Sequence, residues 1–196
     1  MRISHKHKFV YISTPKAGST SVRSALDDYV DIRSVGDKNS PYHHHVSANA
    51  LKKHFEEKEW NWDDYFKFAF VRNPWDRLTS RWEYKHKQIH KHKSDKYDVD
   101  GEYSKLCEKL LTKVNYDFNN FIVRLVRNKK RRQNLSHSHL SFLNDKQDKN
   151  LLDFVGKTET FQEDFDTVCD KIGIPKQKLP HLNKTKKKYK HYTEYY

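Results

Sequence analysis

A run of small, polar and cationic residues, TPKAGSTS at residues 14–21, could bind an anion. It follows a short apolar segment and precedes a segment with helical spacing, so it lies between a predicted strand and a predicted helix. The first turn of a helix exposes unpaired backbone N–H groups and carries partial positive charge. Gly18 permits a tight turn there, and Lys16 adds a full charge. The run predicts a phosphate-binding loop, with an ordinary serine-capped strand–helix turn as the alternative.

A second run, VRNPWDRLTS at residues 71–80, repeats the order of strand, turn and helix. Arg72 stands at the carboxyl end of the predicted strand, where ligands bind in open parallel sheets. Ser80 lies two helical turns further on, on a face that could meet the same ligand. The alternatives are an ion pair between Arg72 and Asp76 and a solvated Ser80. As a pair, the two runs favour a ligand with two anionic groups.

Three consecutive histidines, His43, His44 and His45, lie between these runs at a predicted loop-to-helix junction. A neutral imidazole can take a proton from an attacking hydroxyl near neutral pH. Three solvated loop histidines are the alternative in a chain with 13 His. Further candidates for a base that takes this proton are three carboxylates, Glu56, Glu57 and Glu83.

A metal site is another interpretation of the histidines. It would draw on His86, His90 and His92, of which the first two stand four residues apart. No recognised metal-ligand spacing accompanies them, so we predict no metal.

The elements that must position these residues follow from apolar runs and helical spacing. Strands alternating with helices are typical of an α/β domain with a central, mostly parallel sheet flanked by helices. We predict one domain over residues 1–196, with a mobile loop at 85–100 and a basic tail at 186–196. The expected strands are 9–12, 66–71 and 151–155, and the main expected helices are 19–29, 46–55, one from 74, one around 118–125, and 161–172.

Composition limits the function classes. The formal charge of +13 and the pI of about 9.5 favour a polyanionic partner such as a nucleic acid, an acidic polysaccharide or a nucleotide. Cys107 and Cys169 are expected to be buried in helices, which fits a reducing compartment and leaves one disulfide open. No apolar run approaches the ~18 residues of a membrane span, and no signal-like region follows the N-terminus. We therefore expect a soluble, cytoplasmic protein.

The two anion-binding runs resemble motifs of the sulfotransferases that use 3'-phosphoadenosine 5'-phosphosulfate (PAPS), especially the carbohydrate branch that includes heparan sulfate 2-O-sulfotransferase. Residues 14–21 resemble the 5'-phosphosulfate loop, and residues 71–77 with Ser80 resemble the 3'-phosphate motif. Residues 153–159 and 179–185 resemble two further family segments. YHHHV at residues 42–46 is similar to a Tyr-His-Gly-His-Val segment of the 2-O-sulfotransferase branch, with His44 in place of the glycine.

This resemblance implies a P-loop-like nucleotide-binding fold and sulfuryl transfer from PAPS to a hydroxyl, which leaves 3'-phosphoadenosine 5'-phosphate (PAP). It implies His45 as the base, His43 as its helper and Lys16 facing the leaving phosphate, with no metal required. The donor-binding residues that it implies are Lys16, Ala17, Gly18, Ser19, Thr20, Ser21, Arg72, Ser80, Thr185 and Lys188.

Two other functions compete with this one. A nucleic-acid-binding protein would use the lysines with Tyr and Trp stacking, but its basic residues are dispersed and no recognised motif occurs. A kinase would need the Walker A pattern, but Lys16 precedes Gly18. The expected partner is a hydroxyl-bearing carbohydrate, which basic residues at 85–93 would attract if it is acidic. No specific nucleic acid is expected.

Overall fold

Five strands and seven α-helices form in the structure, a computed structural model that describes residues 1–89, 102–127, 139–182, 189 and 191–196. The strands are β1 (Arg2–Ser4), β2 (Phe9–Ile12), β3 (Ile32–Arg33), β4 (Phe66–Val71) and β5 (Phe154–Lys157). The helices are α1 (Ser19–Leu26), α2 (Ala48–Glu57), α3 (Pro74–Ile89), α4 (Glu102–Lys113), α5 (Phe118–Arg127), α6 (Leu140–Leu143) and α7 (Phe161–Ile172).

The strands make one sheet in the order β3-β1-β2-β4-β5. β2 pairs with β4 and β4 with β5 in parallel, whereas β1 is antiparallel to both β2 and β3. Four of the five strands therefore run in the same direction. The predicted α/β fold with a central, mostly parallel sheet flanked by helices is confirmed.

Both faces of the sheet are covered, as expected where parallel strands are joined by helical crossovers. Successive residues of β2 and β4 point to opposite faces, so each strand contributes to two apolar clusters. These residues are Phe9, Tyr11, Phe68 and Phe70 on the face toward α1 and α7, and Val10, Ile12 and Ala69 on the face toward α2 and α6.

The chain divides into two compact units, Met1–Asn73 with His137–Asn183, and Pro74–Ser136 with Lys184–Tyr196. The first contains the whole sheet. The second packs α3, α4, α5 and the short 3-10 helix Tyr192–Tyr195 around its own apolar cluster, which includes Trp82, Phe121 and Tyr195. One domain over 1–196 stays a prediction.

The third predicted strand begins later in the chain than the sequence pattern indicates. Residues 151–155 were expected, but β5 begins at Phe154. Asn150 and Leu152 instead form a turn, in which the Asn150 side chain bonds both backbone groups of Leu152 at 3.0 and 3.1 Å. The Leu152 side chain is buried against the sheet, which explains why an apolar pattern extends beyond the strand.

Two predictions that concern the second unit need correction. Residues 85–89 were predicted to begin a mobile loop, but they complete α3 and are half-buried or, at Gln88, buried. The C-terminal tail was predicted only as a basic segment, but its residue Tyr195 is buried and donates a hydrogen bond to Glu83. The rest of the predicted loop, 90–100, lies outside the described residues, as do 186–188 and 190 of the tail.

Both cysteines, Cys107 and Cys169, are buried, as predicted, and both are free, although the sequence left one disulfide open. Within the described part of the chain, no helix combines the length and apolar character needed to cross a bilayer.

Candidate active site

The carboxyl ends of β2, β4 and β5 lie at one edge of the sheet, because these strands are parallel and in register. Thr14, just after β2, donates a side-chain hydrogen bond to the Phe70 carbonyl of β4. Thr158, just after β5, donates its backbone N–H to the Val71 carbonyl at 2.9 Å. Three segments that follow three strands are thereby held side by side, at the position where open parallel sheets bind ligands.

The loop after β2 has a backbone suited to anion binding. Lys16 and Gly18 both adopt left-handed conformations, with φ of 65° and 69°. Gly18 is the N-cap of α1 and has no side chain that could cap the N–H groups of the first turn. The predicted loop is therefore a sharp turn that leads into a helix N-terminus, where partial positive charge favours an anion.

Phe161 of α7 leaves no space for a side chain at Gly18. A Cβ at this position would come within 2.4 Å of Cζ of Phe161, whose ring packs edge-on against Phe70 with centroids 5.0 Å apart. Replacing Gly18 with alanine is therefore expected to lower the free energy of unfolding by about 2 to 4 kcal/mol, from left-handed strain and overpacking together. Urea unfolding measures this loss.

Gly36 provides the matched control, because a Cβ there meets no atom within 4 Å. Gly36→Ala should change stability by less than about 0.5 kcal/mol. Equal effects of the two substitutions would contradict the steric argument for Gly18.

Arg72, just after β4, contacts the same loop. Its guanidinium Nη1 donates to the Lys16 carbonyl at 3.2 Å. The next residue, Asn73, donates its backbone N–H to the Glu159 carboxylate at 2.7 Å. The structure thus brings two of the predicted residues, Lys16 and Arg72, into direct contact.

The three histidines stand beside the loop, and each makes a different hydrogen bond. His45 Nδ1 lies 2.8 Å from the Ser13 carbonyl, which can only accept, so Nδ1 carries the proton and Nε2 is the basic nitrogen of the neutral ring. His43 Nδ1 accepts the backbone N–H of His45 at 3.2 Å. His44 Nδ1 pairs with the Ser34 hydroxyl at 2.7 Å. His43 therefore supports the backbone of His45, whose side chain is joined to the start of the loop.

Burial keeps these imidazoles neutral. It lowers the pKa of His45 to about 4, and the positive charge of Arg23 on α1 acts in the same direction. Burial and the Arg23 charge lower the pKa of His44 to about 4 as well, and burial lowers the pKa of His43. A neutral imidazole beside an anion-binding loop can accept a proton from a hydroxyl while the loop holds a negatively charged leaving group.

The other predicted residues are distributed as follows. Ser19, Thr20 and Ser21 form the first turn of α1 in the same unit as Arg72, and Ser80 lies on α3 in the second unit. Thr185 and Lys188 lie outside the described residues. Ser21 Oγ accepts the N–H of Leu182 at 3.3 Å.

The alternative ligands and bases are placed elsewhere. Across the described residues, no group of three or more His, Cys, Asp or Glu side chains is arranged to hold a metal ion. His86 packs against Trp82, with ring centroids 4.5 Å apart, while His90 and His92 lie outside the described residues. Among the alternative bases, Glu56 and Glu57 are exposed on α2, and Glu83 accepts the Tyr195 hydroxyl in the second unit.

Sequence reasoning did not single out His139, Arg23 or Glu159 as site residues. His139 bonds both Pro15 and Arg72 from a position 124 residues away from Pro15. A histidine in the polar run SHSHL at residues 136–140 gives no local signal of such a role.

Comparison with known proteins assigns this chain to a family. A profile of the sulfotransferase family matches residues 1–195, which includes both compact units and each of the segments described above. A search of curated proteins and a search of solved structures found no match. With nearly every residue covered by the profile, the chain belongs to the sulfotransferase family, whose reaction moves a sulfuryl group to a hydroxyl-bearing acceptor.

Proposed function

We propose that this sulfotransferase takes the sulfuryl group from PAPS, transfers it to a hydroxyl of a carbohydrate, and uses His45 as the base. The observation that carries the proposal is the bond between His45 Nδ1 and the Ser13 carbonyl. It leaves Nε2 of the neutral ring as a proton acceptor and joins the ring to Ser13, the residue directly before the anion-binding loop. A proton acceptor and a leaving-group site thus belong to one local structure.

In the proposed reaction, the acceptor oxygen forms a bond to sulfur while the bond between sulfur and the bridging oxygen of the 5'-phosphate breaks. His45 Nε2 takes the hydroxyl proton, and the electron pair of the broken bond stays on the phosphate of PAP. Lys16 and the N–H groups at the start of α1 stabilise that charge, as cationic clamps do in phosphoryl transfer. His43 keeps His45 in place through its backbone N–H.

The donor site of this proposal consists of Lys16–Ser21, Arg72, Ser80, Thr185 and Lys188. The contact of Arg72 with the Lys16 carbonyl supports the first part of this set, because it joins the two motifs at the sheet edge. Thr185 and Lys188 enter through the family resemblance of the C-terminal segment. Ser80 enters through the similarity of its motif.

The acceptor is proposed to be a carbohydrate, with the net charge of +13 favouring an acidic one. A cytoplasmic location is part of the proposal, and the free thiols of Cys107 and Cys169 fit a reducing compartment.

Binding of PAP tests the donor. At a PAP concentration 100 times its Kd, the complex should gain about 2.7 kcal/mol of stability, which raises Tm by roughly 5 to 10 °C in a chain of this size. ATP and duplex DNA at the same concentrations should raise Tm by less than about 2 °C. A thermal scan without a PAP effect contradicts the proposed donor, and a larger shift with DNA favours the nucleic-acid-binding alternative.

A further inference from the structure

His139 joins the two segments that follow β2 and β4. Its ring is buried, with 6% of the residue exposed. Nδ1 lies 3.3 Å from the backbone nitrogen of Arg72, and Nε2 lies 2.9 Å from the Pro15 carbonyl oxygen. Both partners are backbone groups of the candidate active site.

The two bonds require one form of the ring. The Arg72 nitrogen is a donor, so His139 Nδ1 must accept, and the Pro15 carbonyl is an acceptor, so Nε2 must donate. Only the neutral imidazole with its proton on Nε2 satisfies both. Lysine, arginine or protonated histidine at this position would each oppose the Arg72 N–H with a second donor.

These bonds determine where the loop's N–H groups point. In a trans peptide group the C=O and N–H bonds point in opposite directions. Because the Pro15 carbonyl faces His139, the N–H of Lys16 points away from that ring. Because the Lys16 carbonyl faces the Arg72 guanidinium, the N–H of Ala17 points away from Arg72.

We infer that His139 is a positioning residue of the anion-binding loop. It and Arg72 hold two consecutive carbonyls, which turns the N–H groups of Lys16 and Ala17 toward the side where an anion binds. Donors fixed in advance stabilise a developing negative charge without reorganisation during the reaction. The inference deepens the proposed function and rests on it for the identity of the anion, the 5'-phosphate of PAP.

Replacing His139 with glutamine or with asparagine tests its hydrogen bonds to Pro15 and Arg72 separately. The side-chain nitrogen of glutamine reaches about as far as Nε2, so His139→Gln can keep the bond to Pro15. The side-chain oxygen of asparagine stands near the position of Nδ1, so His139→Asn can keep only the bond from Arg72. The inference predicts that PAP affinity and the KM for PAPS change less than about threefold in His139→Gln, and that affinity falls about tenfold in His139→Asn and His139→Ala.

His54→Ala is the matched control for stability. His54, on α2, is a half-buried histidine of the first unit, and it bonds Tyr42 and Glu57. This variant should lower Tm without changing PAP affinity. The positioning role would be overturned if the loss of PAP affinity paralleled the loss of Tm across all four variants. It would also be overturned if His139→Gln and His139→Asn bound PAP with equal affinity.

NMR spectroscopy of the ligand-free protein tests the positioning role of His139 independently of whether PAPS is the donor. The Pro15 carbonyl 13C resonance and the Lys16 and Ala17 amide resonances should shift in His139→Asn and stay near their wild-type positions in His139→Gln. If the wild-type chain binds no PAP, the proposed donor fails while these resonances still report the positioning. Resonances that remain unchanged in His139→Ala refute the positioning whatever the donor is.

Discussion

Lys16→Met is expected to reduce sulfuryl transfer by about a thousandfold, the scale on which removal of one charge-stabilising donor acts in other enzymes. Methionine keeps most of the aliphatic stem of lysine and removes the ammonium group. The Lys16 backbone lies in the turn before α1, and in the proposed reaction the lost charge is the one that stabilises the leaving phosphate. PAP affinity should fall as well, by about ten- to a hundredfold, the value of a hydrogen bond from a charged group.

Lys8→Met is the control that separates charge from backbone strain. Lys8 is also left-handed, with φ of 50° against 65° for Lys16, and it precedes β2, whereas Lys16 follows it. Its ammonium group lies 5.0 Å from the centre of the Tyr65 ring. Titration calorimetry with PAP and a transfer assay should find Lys8→Met close to wild type. Near wild-type transfer in Lys16→Met would remove Lys16 from the leaving-group site, and parallel losses of transfer and Tm in both variants would attribute the effect to the left-handed backbone.

The part of the site that is local in sequence could be predicted. The loop at 14–21 depends on a strand, a glycine and a helix start that follow one another within a dozen residues, and each has its own pattern. Arg72 required one more step, the rule that parallel strands end at the same edge of a sheet. Its contact with Lys16 shows the value of that rule, since 56 residues separate the two.

Long-range polar contacts could not be predicted. No strand was predicted in residues 1–8, which are basic and include Arg2. In the fold, however, Arg2 belongs to β1 and is 7% exposed, because its Nε pairs with the Asp27 carboxylate at 2.7 Å. His139 is the same case within the site: its two partners are backbone groups far away in the chain. Hydropathy patterns report which residues avoid water, and they do not report which buried polar group finds a partner.

His45→Asn is expected to lower the transfer rate by about 10²- to 10⁴-fold while PAP affinity stays within about twofold of wild type. The asparagine amide can still donate to the Ser13 carbonyl, as His45 Nδ1 does at 2.8 Å, so the substitution removes mainly the basic Nε2. Single-turnover transfer and calorimetry with PAP measure the two effects separately. His44→Asn is the control, because His44 bonds the Ser34 hydroxyl instead of the loop and should retain transfer.

The lowered pKa of His45 determines how kcat/KM and the free energy of unfolding change with pH. Burial, aided by the Arg23 charge, lowers its pKa in the free protein to about 4, below the ordinary value of 6.5. The base must be neutral to act, so kcat/KM for the donor should stay level as pH falls from 7.5 to about 5.5 and decrease only as pH approaches 4. The unfolded chain takes up its protons near pH 6.5, so the free energy of unfolding decreases as pH falls from about 6.5 to about 4, and Tm must be recorded at each pH.

Bound PAP should raise the same pKa, because its phosphates bring negative charge toward the imidazole. Titration of the His45 ring resonances, with and without PAP, measures both values. A pKa near 4 that rises with PAP agrees with a base beside the anion-binding loop. A His45 pKa unchanged by PAP, together with full transfer in His45→Asn, would remove His45 as the base and direct the search to Glu56, Glu57 and Glu83.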